Sequence, residues 1–316
     1  MKFLLFNLLA SLTMLLGNSC VKAPKVLTAE KVFEVEAVTG EGSIWHPDRR
    51  SLFWVDIEGK TLYEYFPSKK DCNVRTFDRM ISTVVPETDS TVIVAFQNEI
   101  ARVNLCNQSV TSIASIPDEN GTIRCNDGKC DPAGRLWVGT MSLNATPQAG
   151  KLYCVLPDGM VITKITKVSI SNGIVWSANK KYMYYNDTPT RKIVRYRYDV
   201  SNDDILYDGV AVSIPSEQGL PDGMTIDSED NLWVAQWGGF GVYCYNPYTG
   251  DLLAKVEVPA PNVTSCAFGG RSMDELYITT ARSGLSDEEL KKYPLSGSLF
   301  YCKPGAKGIQ ANYFNE

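Results

Sequence analysis

The chain has 316 residues, of which 44% are hydrophobic, 10% aromatic and 21% charged, a balance that argues against disorder and allows one large domain or two ordinary ones. Its 36 acidic and 31 basic residues give a formal charge of -5 and lie scattered, with no Lys/Arg block. Without such a block there is no surface to track a row of phosphates, which argues against nucleic acid as a partner.

The first twenty residues differ in kind from the rest. Lys2 gives a positive start, Phe3 to Leu16 form an apolar run broken by Asn7, and Gly17, Asn18 and Ser19 precede Cys20. This pattern predicts a secretory signal over 1–19, short for a membrane span. The small residues before Cys20 resemble the lipobox of bacterial lipoproteins, although Asn18 and the place of Leu16 depart from it. The expectation is an exported protein, periplasmic or lipid-anchored to a bacterial membrane with Cys20 as its new N-terminus. A single domain is expected over 27–316.

Next comes KVFEVEA at 31–37, which alternates as a strand should but stands before the first full repeat. Six β-rich runs then follow in register: LFWVD at 52–56, VIVAF at 92–96, LWVGT at 136–140, MYYND at 183–187, LWVAQ at 232–236 and LYITT at 276–280. Each is followed by a second run that ends in a turn, as in KLYCVLPDG and GVYCYNPYTG. Each is preceded, ten or eleven residues earlier, by another strand start: Glu41, Ser82, Asn126, Asn172, Asp222 and Ser265. Units of 40 to 49 residues with several strands each predict an all-β, six-bladed β-propeller. The early strand at 31–37 then supplies the outer strand of the last blade and closes the ring.

Beyond Cys20 there are eight cysteines, an even number that invites a disulfide reading in an exported chain. Cys154, Cys244 and Cys302 fall at similar places in different blades, so buried free thiols are expected instead.

Inner strands of a propeller run beside the central axis, so the six strand-start positions should converge at one end of the channel. They supply two carboxylates, two carboxamides and two hydroxyls, an oxygen set suited to a hard divalent cation, Ca²⁺ before Mg²⁺, Mn²⁺ or Zn²⁺. A structural ion or a chain of waters would use the same residues. Arg124, two residues before Asn126, should share its side of the strand and reach a ligand, or else pair with Asp127. The lone histidine, His46, is expected at a strand end near the surface. With no GxSxG elbow and no phosphate loop, any catalysis would have to proceed through a metal and a carboxylate.

Four segments carry a more specific likeness: EGSIWHPDRRSLFWVDIEGKTLYEY from Glu41, RCNDGKCDPAGRLWVGTM from Arg124, SNGIVWSANKKYMYYNDTPTRKIVRYRYD from Ser171, and LPDGMTIDSEDNLWVAQWGGFGVYCYNP from Leu220. The sequence resembles the SMP-30/gluconolactonase/luciferin-regenerating-enzyme family over nearly the whole mature chain. That resemblance implies a six-bladed propeller with one divalent metal ion that hydrolyses sugar lactones. It implies Glu41, Asn172 and Asp222 as metal ligands, Asn126 as ligand or substrate contact, Arg124 as substrate contact and Asp222 as the acid/base group. After GTM, where sugar-lactonase relatives carry an acidic contact, this chain has SLNATPQAG, with Asn144 near the corresponding place. The expected function is a metal-dependent hydrolase of a sugar lactone. Hydrolysis of another ester, organophosphorus esters included, and non-catalytic binding of a sugar or calcium are the alternatives.

Overall fold

The computed structural model describes residues 23–315; the expected signal and Cys20 lie outside the described residues. Five repeats each fold into a sheet of four strands that follow one another in chain order, the sixth supplies three, and the six sheets are the blades of a propeller. Their inner strands are Gly40–His46, Ile81–Pro86, Ile123–Cys130, Ser171–Trp176, Leu220–Ile226 and Val263–Gly269, in blades one to six.

A blade is sandwiched between two others, so its second strand is covered on both faces and reads as a continuous apolar run; every residue of Ser51–Asp56 is buried. Aromatic side chains on second strands meet the next blade's inner strand. Trp137 packs edge-on against Trp176, Trp233 against Phe268, and Tyr277 stacks on Trp45 with ring centroids 5.9 Å apart.

Glu30–Phe33 pairs antiparallel with Leu299–Cys302 as the outermost strand of blade six, closing the ring as the alternation at 31–37 implies. Residues 34–37 leave the sheet. Lys25–Thr28 adds a fifth strand to blade five, parallel to Leu252–Glu257. All eight described cysteines are free, and six of them are buried.

Turns from first to second strands share one face of the disc, and the C-terminal segment 303–315 crosses that face. The Gly308 amide donates to the Met273 carbonyl in blade six, Asn312 to Cys130 in blade three, Phe314 to Pro86 in blade two, and the Tyr313 hydroxyl to Asp48 in blade one. This strap narrows that end of the channel to a cavity of about 110 Å³. His46 sits there too. It is fully buried rather than near the surface, with Nε2 2.8 Å from the Thr88 carbonyl oxygen, and burial lowers its pKa.

Asp131 anchors the first turn of blade three. Its carboxylate accepts from Trp137 Nε1 at 2.9 Å, Tyr198 at 2.8 Å and the Arg135 guanidinium at 2.7 Å. Asp227 plays the same part for Trp233 in blade five but has no arginine. Asp131→Ala takes the nearest carboxylate from a largely buried guanidinium, which keeps Tyr198, the Val200 carbonyl and Asp203 at 3.7 Å, and should destabilise the protein by about 3 kcal/mol. Asp227→Ala should cost only about 1–3 kcal/mol. Urea unfolding of both variants checks the order, and equal losses would contradict the role given to Arg135.

Candidate metal and substrate site

All six inner strands break their ladder near the start. The register shifts between Glu41 and Ile44, Ile81 and Thr83, Cys125 and Gly128, Asn172 and Ile174, Pro221 and Met224, and Val263 and Ser265. A bulge leaves residues unpaired and re-aims their side chains. Here it does so at one height on every blade: Ser82, Asn126 and Asp222 lie within their bulges, and Glu41 and Asn172 are the last paired residues before theirs. In blade six the bulge falls on Thr264, one residue before Ser265.

Glycines make this crowding workable. Gly42 has φ 60° and lies against Ser82 and Thr83 of blade two, while a Cβ on Gly173 would come within 2.7 Å of the Asp222 carbonyl oxygen.

Glu41, Arg124, Asn126, Asn172 and Asp222 line one cavity of about 480 Å³, opening on the face away from the C-terminal strap. The Asn172 amide is fixed by donation from Nδ2 to Thr188 Oγ1 at 2.9 Å, which turns Oδ1 the other way. Thr188 in turn donates to the Pro221 carbonyl, and Asn186 to that of Asp222, so blade four holds the bulge of blade five in place. Asn126 donates to the Ser171 carbonyl at 2.7 Å, and its Oδ1 accepts from Arg124 Nη1 at 2.5 Å. Arg124 therefore leans on Asn126 and not on Asp127. Ser82 and Ser265 do not line this cavity; they bond to the Ala95 carbonyl and to Ser43.

Asn144 is not brought to the site either. It is exposed, its backbone amide donates to Ser142 Oγ, and its neighbour Leu143 lines the cavity. Glu58, Thr188, Leu143 and Trp237 are lining residues that the repeat register did not single out, because they stand at loop and strand ends outside the aligned strand starts.

The electrostatics are tense. Burial, then the charges of Asp222 and Asp127, push the Glu41 carboxyl well above its usual range. Asp222 is likewise raised by burial, with Asp127 adding to it, and Asp127 itself is raised by burial while Lys129 offsets part of that shift. Lys129 lies half-buried below the site, its ammonium donating to the Met224 carbonyl, and desolvation lowers its pKa. Burial also lowers that of Arg124, with the charges of Glu58 and Glu41 opposing. Oδ1 of Asp222 is buried with no donor to accept from among the described residues, and the Asp222 and Glu41 carboxyls stand within hydrogen-bonding reach of each other, a contact that needs a shared proton or a cation.

The described residues hold no cluster of three His, Cys, Asp or Glu side chains placed to grip an ion. The donor set is instead two carboxylates, Glu41 and Asp222, with the Asn172 carboxamide, and Asn126 beside them. Such a set, with an orphaned carboxylate oxygen, fits an oxygen-seeking divalent cation and leaves further coordination positions for other oxygens.

Residues 39–282 match the SMP-30/Gluconolactonase/LRE-like region. YvrE of Bacillus subtilis (strain 168), provisionally named a sugar lactone lactonase, is 36% identical over 277 residues, which span 88% of this chain and 95% of that protein. Among solved structures, a luciferin-regenerating enzyme superposes with TM-score 0.86 at 32% identity, covering 92% of this chain and 99% of that one. A calcium-binding regucalcin from Agrobacterium tumefaciens superposes with TM-score 0.87 at 26% identity over the same shares of the two chains.

The raised carboxyls set a pH signature. In the metal-free protein the folded state keeps protons that the unfolded state has lost, so their stabilising contribution, full below the ordinary carboxylate range, is lost as pH rises. A divalent cation relieves this by replacing those protons. The Tm gained on adding Ca²⁺ should therefore be larger at about pH 8 than at about pH 5, and Asp222→Asn should shrink it. Equal gains at both pH values in the wild-type protein would contradict this reading of the pair.

Proposed function

This chain belongs to the SMP-30/gluconolactonase/LRE-like family, and we propose that it is a divalent-metal-dependent hydrolase of a sugar lactone, with Ca²⁺ the best-suited ion. The observation that carries this reading is the Asp222 carboxylate, buried on the floor of the cavity with Oδ1 unpaired. Glu41, Asn172 and Asp222 would hold the ion, with Asn126 at its side. When bound, the ion supplies Lewis-acid polarisation of the lactone carbonyl and eases deprotonation of water.

The chain's own residues divide the remaining work. Asp222 takes the proton of the attacking water and returns it to the ring oxygen as the carbon–oxygen bond breaks, so the ring opens to a hydroxy acid. Arg124, held by Asn126 and the Cys125 carbonyl, presents its guanidinium to ligand oxygens and orients the ring. Burial keeps bulk water from the floor, which strengthens each of these contacts.

A lactone panel followed by proton release tests the proposal. Chelation should abolish turnover and Ca²⁺ should restore it. Asp222→Asn should lower kcat by roughly 10²–10⁴-fold while the variant stays folded by circular dichroism. Sustained turnover by the chelated protein would overturn the metal's role. Tight binding of lactones and esters with no turnover would replace the enzyme by a binding protein.

We also propose that the protein is exported and anchored through a lipid on Cys20, on the strength of the apolar run ending in small residues. Mass spectrometry of the membrane fraction should find a lipidated peptide beginning at Cys20. A soluble product cut elsewhere would remove the anchor.

A further inference from the structure

We propose that the lactone is not a bare polyol but a sugar-acid lactone bearing an apolar substituent, a deoxy carbon or an O-acyl chain, seated against an apolar arc at the cavity mouth. This inference rests on the hydrolase reading above. Second strands run toward the open face, and inner strands start from it, so residues at the end of one and the start of the other form a layer above the bulges. Met80 before blade two, Met141 and Leu143 of blade three, and Leu220 and Trp237 of blade five line the cavity from that layer, whereas Ile57 of blade one is buried in the core beneath it. Blade four adds another through the residue just before its inner strand, so four of the six blades present an apolar side chain.

A polyol needs hydrogen-bond partners on most of its carbons, and beyond the charged pair Arg124 and Glu58 and the Trp237 indole the lining offers few that are free. Asn172 Nδ2 is committed to Thr188, Thr188 Oγ1 to Pro221, Asn126 Nδ2 to Ser171, and Asn126 Oδ1 to Arg124. The other hydroxyls of the lining, on Thr39 and Ser283, sit together where blades six and one meet. Leu143 is 42% exposed and stands where the neighbouring Asn144 would have been the polar contact. Hydroxyls brought against this arc would lose water without replacement, whereas methyl and methylene groups gain by leaving it. The polar floor and the apolar mouth thus divide recognition between the ester group and the substituent.

The test compares D-glucono-δ-lactone with its 6-O-hexanoyl derivative in the presence of Ca²⁺, with the ring-opened, still acylated acid identified by mass spectrometry. The acylated lactone should be favoured at least ~10-fold in kcat/KM, and Leu143→Asn should bring that ratio down several-fold. Equal or faster turnover of the bare lactone would overturn this inference and leave the hydrolase reading standing. The corresponding lactams, which resist hydrolysis, separate the two claims by calorimetry. Tighter binding of the acylated lactam without turnover of either lactone would overturn the hydrolase reading and keep the ligand class. No preference between the lactams would overturn the ligand class whatever the kinetics.

Discussion

Six inner strands converge on one axis, and each breaks its ladder near its start, which shapes the site. Each strand releases one or two residues as a bulge at the same height. Hydrogen bonding thereby given up by the sheets is taken over by side chains: Asn186 and Thr188 of blade four hold the carbonyls of blade five, and Thr264 of blade six holds that of Gly40 in blade one. The ring is stitched together at the level where its polar groups converge, so the site is rigid for the reason that the blades meet there.

That convergence loads the axis with charge. Glu41, Asp127 and Asp222 are buried together, and Lys129 below them is the ammonium that answers part of their repulsion. Burying charge without full compensation costs stability, and proteins keep such an imbalance mainly where a ligand restores it. The crowded carboxyls thus support the proposed cation site on electrostatic grounds, independent of any likeness to other proteins. The large apolar interfaces between blades, with their stacked and edge-on aromatic pairs, offset the strain at the centre.

The two faces of the disc serve different ends. On one, short first turns are bound down by Asp131 and Asp227 and crossed by the C-terminal strap, which narrows the channel. On the other, connections of unequal length between second and third strands surround an open cavity, that of blade six carrying the helix Asp287–Lys292, whose capping box of Ser286 and Glu289 makes a short exposed helix tenable. Separating scaffold from access lets the mouth vary while the floor stays built.

The sequence by itself determined the blades and the floor. Strand alternation repeats with the blade period, and equal places in the repeat must become equal places around an axis. Glu41, Asn126, Asn172 and Asp222 were therefore legible as neighbours although up to 181 residues separate them (222 − 41). Whatever does not repeat was decided only by tertiary structure. Four residues at 25–28 join blade five because a parallel edge was open there, which no local pattern announces. His46 is buried because the C-terminal segment, which belongs to no blade, packs Tyr313 against it. Leu143 rather than Asn144 lines the cavity because a loop's side-chain directions depend on what it packs against, not on a strand period of two. Register can be read from a sequence; the rim that selects the substituent arises where register ends.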